Sequence, residues 1–188
     1  GHTIHALRRN MNMTYIVMDN QIYGLTKGQT SPSSAKGFVT KSTPKGNIEK
    51  NVAPLELALS SGATFVAQGF SSDIKALTKM IEDAIHHDGF SFVNVFSPCV
   101  TYNKVNTYDW FKEHLTSIDD IEGYDITEKL PAMITVLDHQ SLVKRIVYQD
   151  TTPPSYDSQI SALEHEALAK RDIHITEETF NDLTAQFL

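Results

Sequence analysis

One cysteine and one tryptophan stand in 188 residues. A lone thiol closes no internal disulfide, and a structural zinc site or an iron–sulfur cluster takes several thiolates. Neither a secreted disulfide framework nor a self-contained cysteine cluster is therefore available to this chain. A reducing cytoplasm is the expected compartment. No stretch approaches the roughly 18 consecutive apolar residues of a membrane span, and the first residues lack the basic, apolar, small-residue order of a signal peptide, so no membrane role is expected. Charged residues make up 21% of the chain, too few to hold it open by self-repulsion, and a hydrophobic share of 40% supplies a core. One domain, or one domain with an extension, fits this length.

The net charge of −7 is unevenly spread. Residues 1–50 hold seven basic side chains (Arg8, Arg9, Lys27, Lys36, Lys41, Lys45, Lys50) against Asp19 and Glu49. A basic segment ahead of an acidic body suits an anionic ligand held near the N-terminal part. Nucleic acid calls for a denser stripe with interleaved aromatics, so its binding is not expected. The chain opens Gly1-His2-Thr3-Ile4-His5 without Met and inside an apparent helix, which reads as a fragment of a longer protein.

Residues 3–10 (TIHALRRN) read as the end of a helix, with two arginines where the macrodipole favours cations. Met13 to Asp19 (MTYIVMD) is a nearly continuous apolar run, expected as a central strand covered on both faces. From Asn20 to Val52 glycine, proline, hydroxyl residues and lysine take over, marking a long loop. Loops longer than about 12–15 residues in compact domains are usually functional or disordered. A short helix is expected from Pro54 to Leu59, ended by Gly62, then a buried strand over Ala63–Ala67. A helix follows, capped by Ser71 or Ser72, with Ile74, Leu77, Ile81, Ala84 and Ile85 on one face and Gly89 beyond its end. Phe90–Phe96 (FSFVNVF) is a third strand. The alternation argues for an α/β fold, a parallel sheet with helices on both faces, over residues 1–97. Residues 98–188 read as a mainly helical C-terminal extension without its own evident sheet. Within it, Trp110 is expected to pack, Thr151–Pro154 to turn, and Ile160, Leu163, Ala167 and Leu168 to share a helix face.

Open parallel sheets bind ligands beyond the carboxyl ends of their strands. The long loop leaves one such end, and Cys99 follows another. Within Asp19-Asn20-Gln21-Ile22-Tyr23-Gly24-Leu25-Thr26-Lys27-Gly28-Gln29, amide oxygens, hydroxyls and glycines crowd together. A hard cation such as Mg²⁺ prefers oxygen ligands shared with a phosphate, and Asn20 and the Ile22 carbonyl can supply them. Gly24 and Gly28 would let the backbone come close to a phosphate, with Thr26 and Gln29 as hydrogen-bond partners. On residue chemistry alone, an Asn-Gln pair beside glycines after a strand serves a turn more often than a metal. A lone Cys99 is by default a small buried hydrophobe. His86-His87-Asp88 suits a helix end better than a metal.

The run DNQIYGLTKGQTSPSS closely resembles the second half of the thiamine-diphosphate motif in beta subunits of 2-oxoacid:ferredoxin oxidoreductases. GHTIHALRRNMNMTYIVM resembles the helix and strand leading into it, and SPCVTYN at residues 97–103 extends the likeness. The resemblance implies the thiamine-diphosphate-binding fold, in incomplete form, because the family's GDGD-type turn lies upstream of Gly1. It implies that Asn20 binds Mg²⁺ through its side chain and Ile22 through its carbonyl, with Tyr23, Gly24, Gln29 and His5 around the cofactor. Leu25, Thr26 and Lys27 would line the substrate side as catalytic residues. Lys27 would pair with an anionic group, either the distal carboxylate of a 2-oxoacid or a phosphate of coenzyme A. Leucine at position 25, where pyruvate-specific relatives carry a more polar residue, leans toward 2-oxoglutarate. Cys99 would supply one thiolate of a [4Fe–4S] cluster whose other cysteines lie upstream. Partners implied are the alpha subunit, which contributes the pyrimidine end of the site, and ferredoxin. With one charged metal ligand missing, these residues alone would bind cofactor weakly and be inactive. Rival readings are a non-oxidative thiamine-diphosphate decarboxylase or synthase, whose half-motif lacks Leu-Thr-Lys-Gly-Gln, and a non-catalytic α/β interaction module.

Overall fold

The computed structural model describes residues 1–163, 168–170, 172 and 174–187. It divides into two compact units, Gly1–Tyr156 and Asp157–Leu188. In the first, α1 (His2–Arg8) precedes β1 (Met13–Asp19), and α2 (Pro54–Ser60), β2 (Phe65–Phe70), α3 (Ile74–His86) and β3 (Phe90–Phe96) follow the long loop. Then come α4 (Tyr108–His114), the two-residue β4 (Thr116–Ser117), α5 (Lys129–Asp138) and β5 (Val143–Gln149). The strands form one sheet in the order β1-β3-β2-β5-β4. β1, β3 and β2 run parallel, whereas β5 lies antiparallel to β2.

Every residue of β2 and β3 is buried, as near-continuous apolar runs between two helical layers should be. On one face Leu7, Leu55, Leu59, Ala132 and Val136 from three helices pack on Val66, Phe90 and Phe92. On the other, Met80 and Ala84 of α3 pack on Phe65, Ala67, Val93 and Val95. At the carboxyl end Phe70 and Phe96 meet Phe111 of α4, whose ring stacks on Phe96 at 4.5 Å, with Trp110 edge-on to Phe111.

Several local expectations are corrected. β1 is an edge strand rather than a central one: among the described residues it pairs with β3, and Tyr15, Ile16 and Met18 are exposed. An apolar run reports the capacity for burial, not which segment does the burying. The second strand begins two residues later and runs on through Gln68 and Gly69, a polar residue and a helix-contact glycine that break the apolar signal. A β-carbon at Gly69 would lie 2.7 Å from Leu77, so α3 seats on that glycine. The cap of α3 is Asp73, which accepts from the Ala76 N–H at 3.4 Å, rather than a serine. Its inward face is Leu77, Met80 and Ala84, while Ile74 and Ile85 are exposed.

The region after residue 97 adds strands that its composition hid. In β5 (VKRIVYQ) the basic residues interrupt the apolar pattern, yet Arg145 is paired outward, with Nη1 3.0 Å from Asp73 and Nε 3.0 Å from Asp119. A bulge opposite Val66 and Ala67, and a left-handed Arg145 at φ 103°, accompany the turn of that side chain to its carboxylates. In the second unit, 3₁₀ turns at Asp157–Gln159, Ser161–Leu163 and Leu168–Lys170 precede α6 (Glu177–Ala185) instead of one long helix. Ala167 lies outside the described residues.

Candidate functional site

β1 and β3 end side by side, and the chain folds the loops beyond them together. The Ser97 N–H donates to the Asp19 carbonyl at 2.8 Å, and Asn103 Nδ2 donates to the Asn20 carbonyl at 3.3 Å. Asn103 is held in turn, its Oδ1 accepting from the Val105 and Asn106 N–H groups and its own N–H bonded to the Cys99 carbonyl. This seats the Ser-Pro-Cys segment against the first loop. A β-carbon at Gly24 would lie 3.3 Å from Cys99 Sγ and 3.7 Å from Asn20 Nδ2, so glycine leaves room for both.

The first loop turns at once. Asn20 Oδ1 accepts from the Ile22 N–H at 3.1 Å, and Tyr23 to Gln29 forms a tight hairpin, with the Tyr23 N–H bonded to the Gln29 carbonyl at 2.9 Å. Lys27 and Gly28 take positive φ at its tip, and Gly28 backs onto the Tyr102 ring. Further on the polar residues tie the loop down. Thr30, Thr40 and Thr43 share hydroxyl hydrogen bonds at 2.6 to 3.0 Å, and buried Asn47 donates to the carbonyls of Ser34, Ala35 and Glu49. Between Asp19 and Pro54 the described backbone has no helix or strand beyond one bridge at Tyr23 and Gln29, and side chains satisfy what a ladder would.

A cavity of about 560 Å³ opens here. Asn20, Ile22, Tyr23, Gly24, Leu25 and Thr26 all line it. Asp19 lines it as well, its Oδ1 taking hydrogen bonds from Ser33 Oγ at 2.6 Å and the Gln21 N–H at 3.0 Å. Burial pushes the Asp19 carboxyl above its ordinary range, against the lowering effect of those two donors. Ile22 is buried, whereas Leu25 is 99% exposed and so free to meet a ligand or another surface. Lys27 and Gln29 are exposed on the hairpin outside the lining, and His5 is exposed on α1. No lysine, arginine or histidine is in the lining among the described residues. Cavity oxygens from a carboxylate, amides and hydroxyls suit a hard cation and the groups it carries; a bare anion would find no counter-charge in this wall.

Two residues of this region escape motif reading. Asn94 lines the cavity, and Gln68 is hydrogen-bonded to it; the signal was a carboxamide in the middle of each of two apolar strands, Phe90–Phe96 and Phe65–Phe70. The His86-His87-Asp88 triplet is otherwise employed. His87 is buried and bonded through Nε2 to Thr64 Oγ1 at 2.8 Å, at the opposite end of the sheet.

Comparison with known proteins bears on the same segments. Residues 1–95 match the family described as thiamine pyrophosphate enzyme, C-terminal TPP binding domain. Residues 99–165 match the family described as the C-terminal part of the pyruvate ferredoxin oxidoreductase beta subunit. A 2-oxoacid:ferredoxin oxidoreductase subunit beta from Sulfolobus sp is 39% identical over 172 residues, 86% of this chain and 56% of that protein. The 2-oxoglutarate oxidoreductase subunit KorB of Mycobacterium tuberculosis is 47% identical over 103 residues, covering 55% of this chain and 28% of its own length. The structure of 2-oxoglutarate:ferredoxin oxidoreductase from Magnetococcus marinus, solved with 2-oxoglutarate, coenzyme A and succinyl-CoA bound, superposes with a TM-score of 0.85 at 33% identity. It covers 97% of this chain and 62% of the solved one, and the chain spans little more than half of the Sulfolobus relative. With both halves matched, the chain belongs to the family of thiamine pyrophosphate enzymes, among the beta subunits of 2-oxoacid:ferredoxin oxidoreductases.

Proposed function

We propose that this chain forms the diphosphate-holding part of a beta subunit that oxidatively decarboxylates a 2-oxoacid to acyl-CoA and CO₂ and passes the electrons to ferredoxin. 2-Oxoglutarate is favoured over pyruvate, in keeping with Leu25 and with the names and bound ligands of the relatives. The observation that carries the reading is the cavity at the strand ends, where Asn20, Ile22 and Gly24 come together beside Cys99. Residues 1–97 are the thiamine-diphosphate domain in this reading, and 98–188 the C-terminal extension of the beta subunit.

The residues fit a Mg²⁺-bound diphosphate. Asn20 Oδ1 and the Ile22 carbonyl are the oxygens proposed to hold the metal, and Gly24 removes the side chain that would block close approach. Thiamine diphosphate, when bound, supplies the carbanion-stabilising chemistry itself. The protein's task is to place it. Leu25 and Thr26, on the cavity wall, would bound the substrate side, with Lys27 on the hairpin supplying the positive charge that the wall lacks, for the distal carboxylate of the substrate or a phosphate of coenzyme A. Tyr23 and Gln29, bonded to each other through their backbones, fix the hairpin that carries these residues. His5, exposed on α1, is the remaining residue proposed to lie around the cofactor. Cys99 can give one thiolate to a [4Fe–4S] cluster, but a chain with one cysteine does not hold such a cluster by itself, and no electron step is assigned to it. An alpha subunit, ferredoxin and a cytoplasmic setting complete the proposal, and the 188 residues by themselves would be inactive.

The test is the intact beta subunit purified with its alpha subunit, assayed for iron, thiamine diphosphate and coenzyme A-dependent reduction of ferredoxin. The expected result is Mg²⁺-dependent cofactor, iron that falls in Cys99→Ala, and faster turnover of 2-oxoglutarate than of pyruvate. Cofactor without iron would replace the reading with a non-oxidative relative, and absence of both would leave an α/β interaction module. Faster turnover of pyruvate would overturn the substrate preference alone.

A further inference from the structure

Two buried carboxamides lie side by side across the sheet. Gln68 on β2 and Asn94 on β3 are register partners, and both are fully buried. Gln68 Nε2 donates to the carbonyls of Ser141 at 2.6 Å and Val143 at 2.7 Å. Carbonyl oxygens only accept, so the Gln68 amide cannot be turned round, and its Oε1 must be the atom that faces β3. Asn94 Nδ2 must then be the atom that meets it, at 2.8 Å. The orientation of Asn94 follows from the same accounting. Its Oδ1 is the amide atom left over by the bond to Gln68, and Val17, its register partner on β1, lines the cavity with it.

That oxygen is sealed from solvent and has no hydrogen-bond partner among the described residues. A buried acceptor left unmet destabilises a fold, and an aliphatic side chain would avoid the cost. Here a second buried amide holds the acceptor in its orientation instead. Asn94 lines the same cavity as Asp19, Asn20 and Gly24, and that wall offers acceptors and no cationic side chain. What the arrangement accepts is a proton donor on a bound molecule: an N–H, an O–H, or water on a hard cation.

We propose that Asn94 is a ligand-binding residue of this cavity, its Oδ1 accepting a hydrogen bond from water on the cofactor's metal. Gln68 is the positioning residue that fixes it. This rests on the cofactor reading above and adds to it a contact from the middle of the sheet, outside the loop motif. The diphosphate end assigned to this chain would bring such a donor as water on its Mg²⁺.

The experiment is calorimetric titration of the intact beta subunit, in complex with its alpha subunit, with thiamine diphosphate and Mg²⁺, beside thermal unfolding of the ligand-free complex. Asn94→Val deletes the acceptor, and Asn94→Thr replaces it with a shorter hydroxyl held toward β2 by donating to Gln68 Oε1, which guards against misfolding of the first variant. Both should bind about tenfold or more weakly, the worth of one hydrogen bond to a charged or polarised donor, with a ligand-free unfolding midpoint close to wild type. A weakening seen as a raised Mg²⁺ requirement at saturating cofactor assigns the donor to metal-bound water. A weakening that no excess of Mg²⁺ relieves overturns metal-bound water as the donor. Gln68→Leu should weaken binding too, and should cost no further affinity in the Asn94→Val background, a non-additivity that a purely structural role would not give. Wild type that binds while both Asn94 variants bind equally well overturns the inference alone. Wild type that binds no thiamine diphosphate overturns the cofactor reading and the inference with it.

Discussion

The two ends of the parallel sheet are built from the same few residue types and are put to opposite use. At the amino end, Asn10 Oδ1 takes hydrogen bonds from Thr64 Oγ1 at 2.7 Å and the Phe90 N–H at 2.8 Å, while its Nδ2 reaches the Pro154 carbonyl at 3.1 Å. Thr64 also meets His87, and Gly89 lies packed against the cluster. At the carboxyl end, Asp19, Asn20, Ser33 and Gly24 line a cavity of about 560 Å³, Cys99 lies against Gly24, and Asn94 keeps an unmet oxygen. One end, closed by bonds among its own residues, ties strand starts together, with His87 Nδ1 as its unmet buried acceptor among the described residues. The other opens on a cavity lined by loop residues of the family motif, and that lining, rather than an unmet acceptor, separates a binding cluster from a structural one.

The sharpest way to break the closed end is Gly89→Ala. Its φ of +135° is barred to a side chain, and the β-carbon would lie 2.6 Å from Asn10 Oδ1, 2.8 Å from Thr64 Oγ1 and 2.9 Å from Asn10 Nδ2. Strain and clash together should cost about 3 kcal/mol or more, measured by urea unfolding. Thr64→Val comes next: Asn10 Oδ1 loses one of its donors and His87 Nε2 its partner, for a loss of about 1–3 kcal/mol. Both changes lie at the end of the sheet away from the cavity, so cofactor affinity of the folded protein should not move. A loss of affinity without a loss of stability would erase the distinction between the two ends.

The element order and the open end were legible in the sequence, the closed end was not, and the parts missed have physical causes. The order of helices and strands through Phe96 follows from apolar period and from the turn residues that punctuate it. The Asn20–Thr26 lining follows from a loop too long for its surroundings and from the family likeness. β5 was hidden because Lys144 and Arg145 interrupt its apolar pattern, although Arg145 is bridging Asp73 and Asp119. The edge position of β1 was hidden because an apolar run does not name its neighbour. Gln68 and Asn94 sat in plain view as polar letters inside apolar strands. Only the three-dimensional accounting of donors shows that one of their oxygens is left without a partner.

At the open end, Gly24→Ala sharpens the comparison from the other side. The added β-carbon would stand 3.3 Å from Cys99 Sγ, which can give by a few tenths of an ångström, and no positive φ adds strain. Stability should change by less than about 1 kcal/mol, within the range of a tolerated small substitution. Cofactor retention, read by thiamine diphosphate content after desalting, should fall, because the methyl group intrudes between Asn20 and Cys99. The reverse outcome, stability lost and cofactor kept, would make this glycine a packing residue like Gly69.

The smallest effect is expected from His87, and it separates the two ends by pH. Burial lowers its pKa below the ordinary 6.5, against the nearby Asp88 and Asp150 carboxylates, which raise it. Because Thr64 Oγ1 gives its proton to Asn10, His87 Nε2 must be the donor to Thr64, and Nδ1 is left as a buried lone pair with no partner among the described residues. A second proton would have to enter there. The unfolded chain therefore protonates this histidine first as pH falls. Stability should be at its full value above about pH 6.5 and decline below it until the lowered folded-state pKa is passed. His87→Gln, which can still donate to Thr64, should flatten that limb in thermal unfolding across pH 7 to 5 and leave cofactor affinity at pH 7 unchanged. An acid limb that survives the substitution would assign the sensitivity to carboxylates elsewhere and remove His87 from the closed end's account.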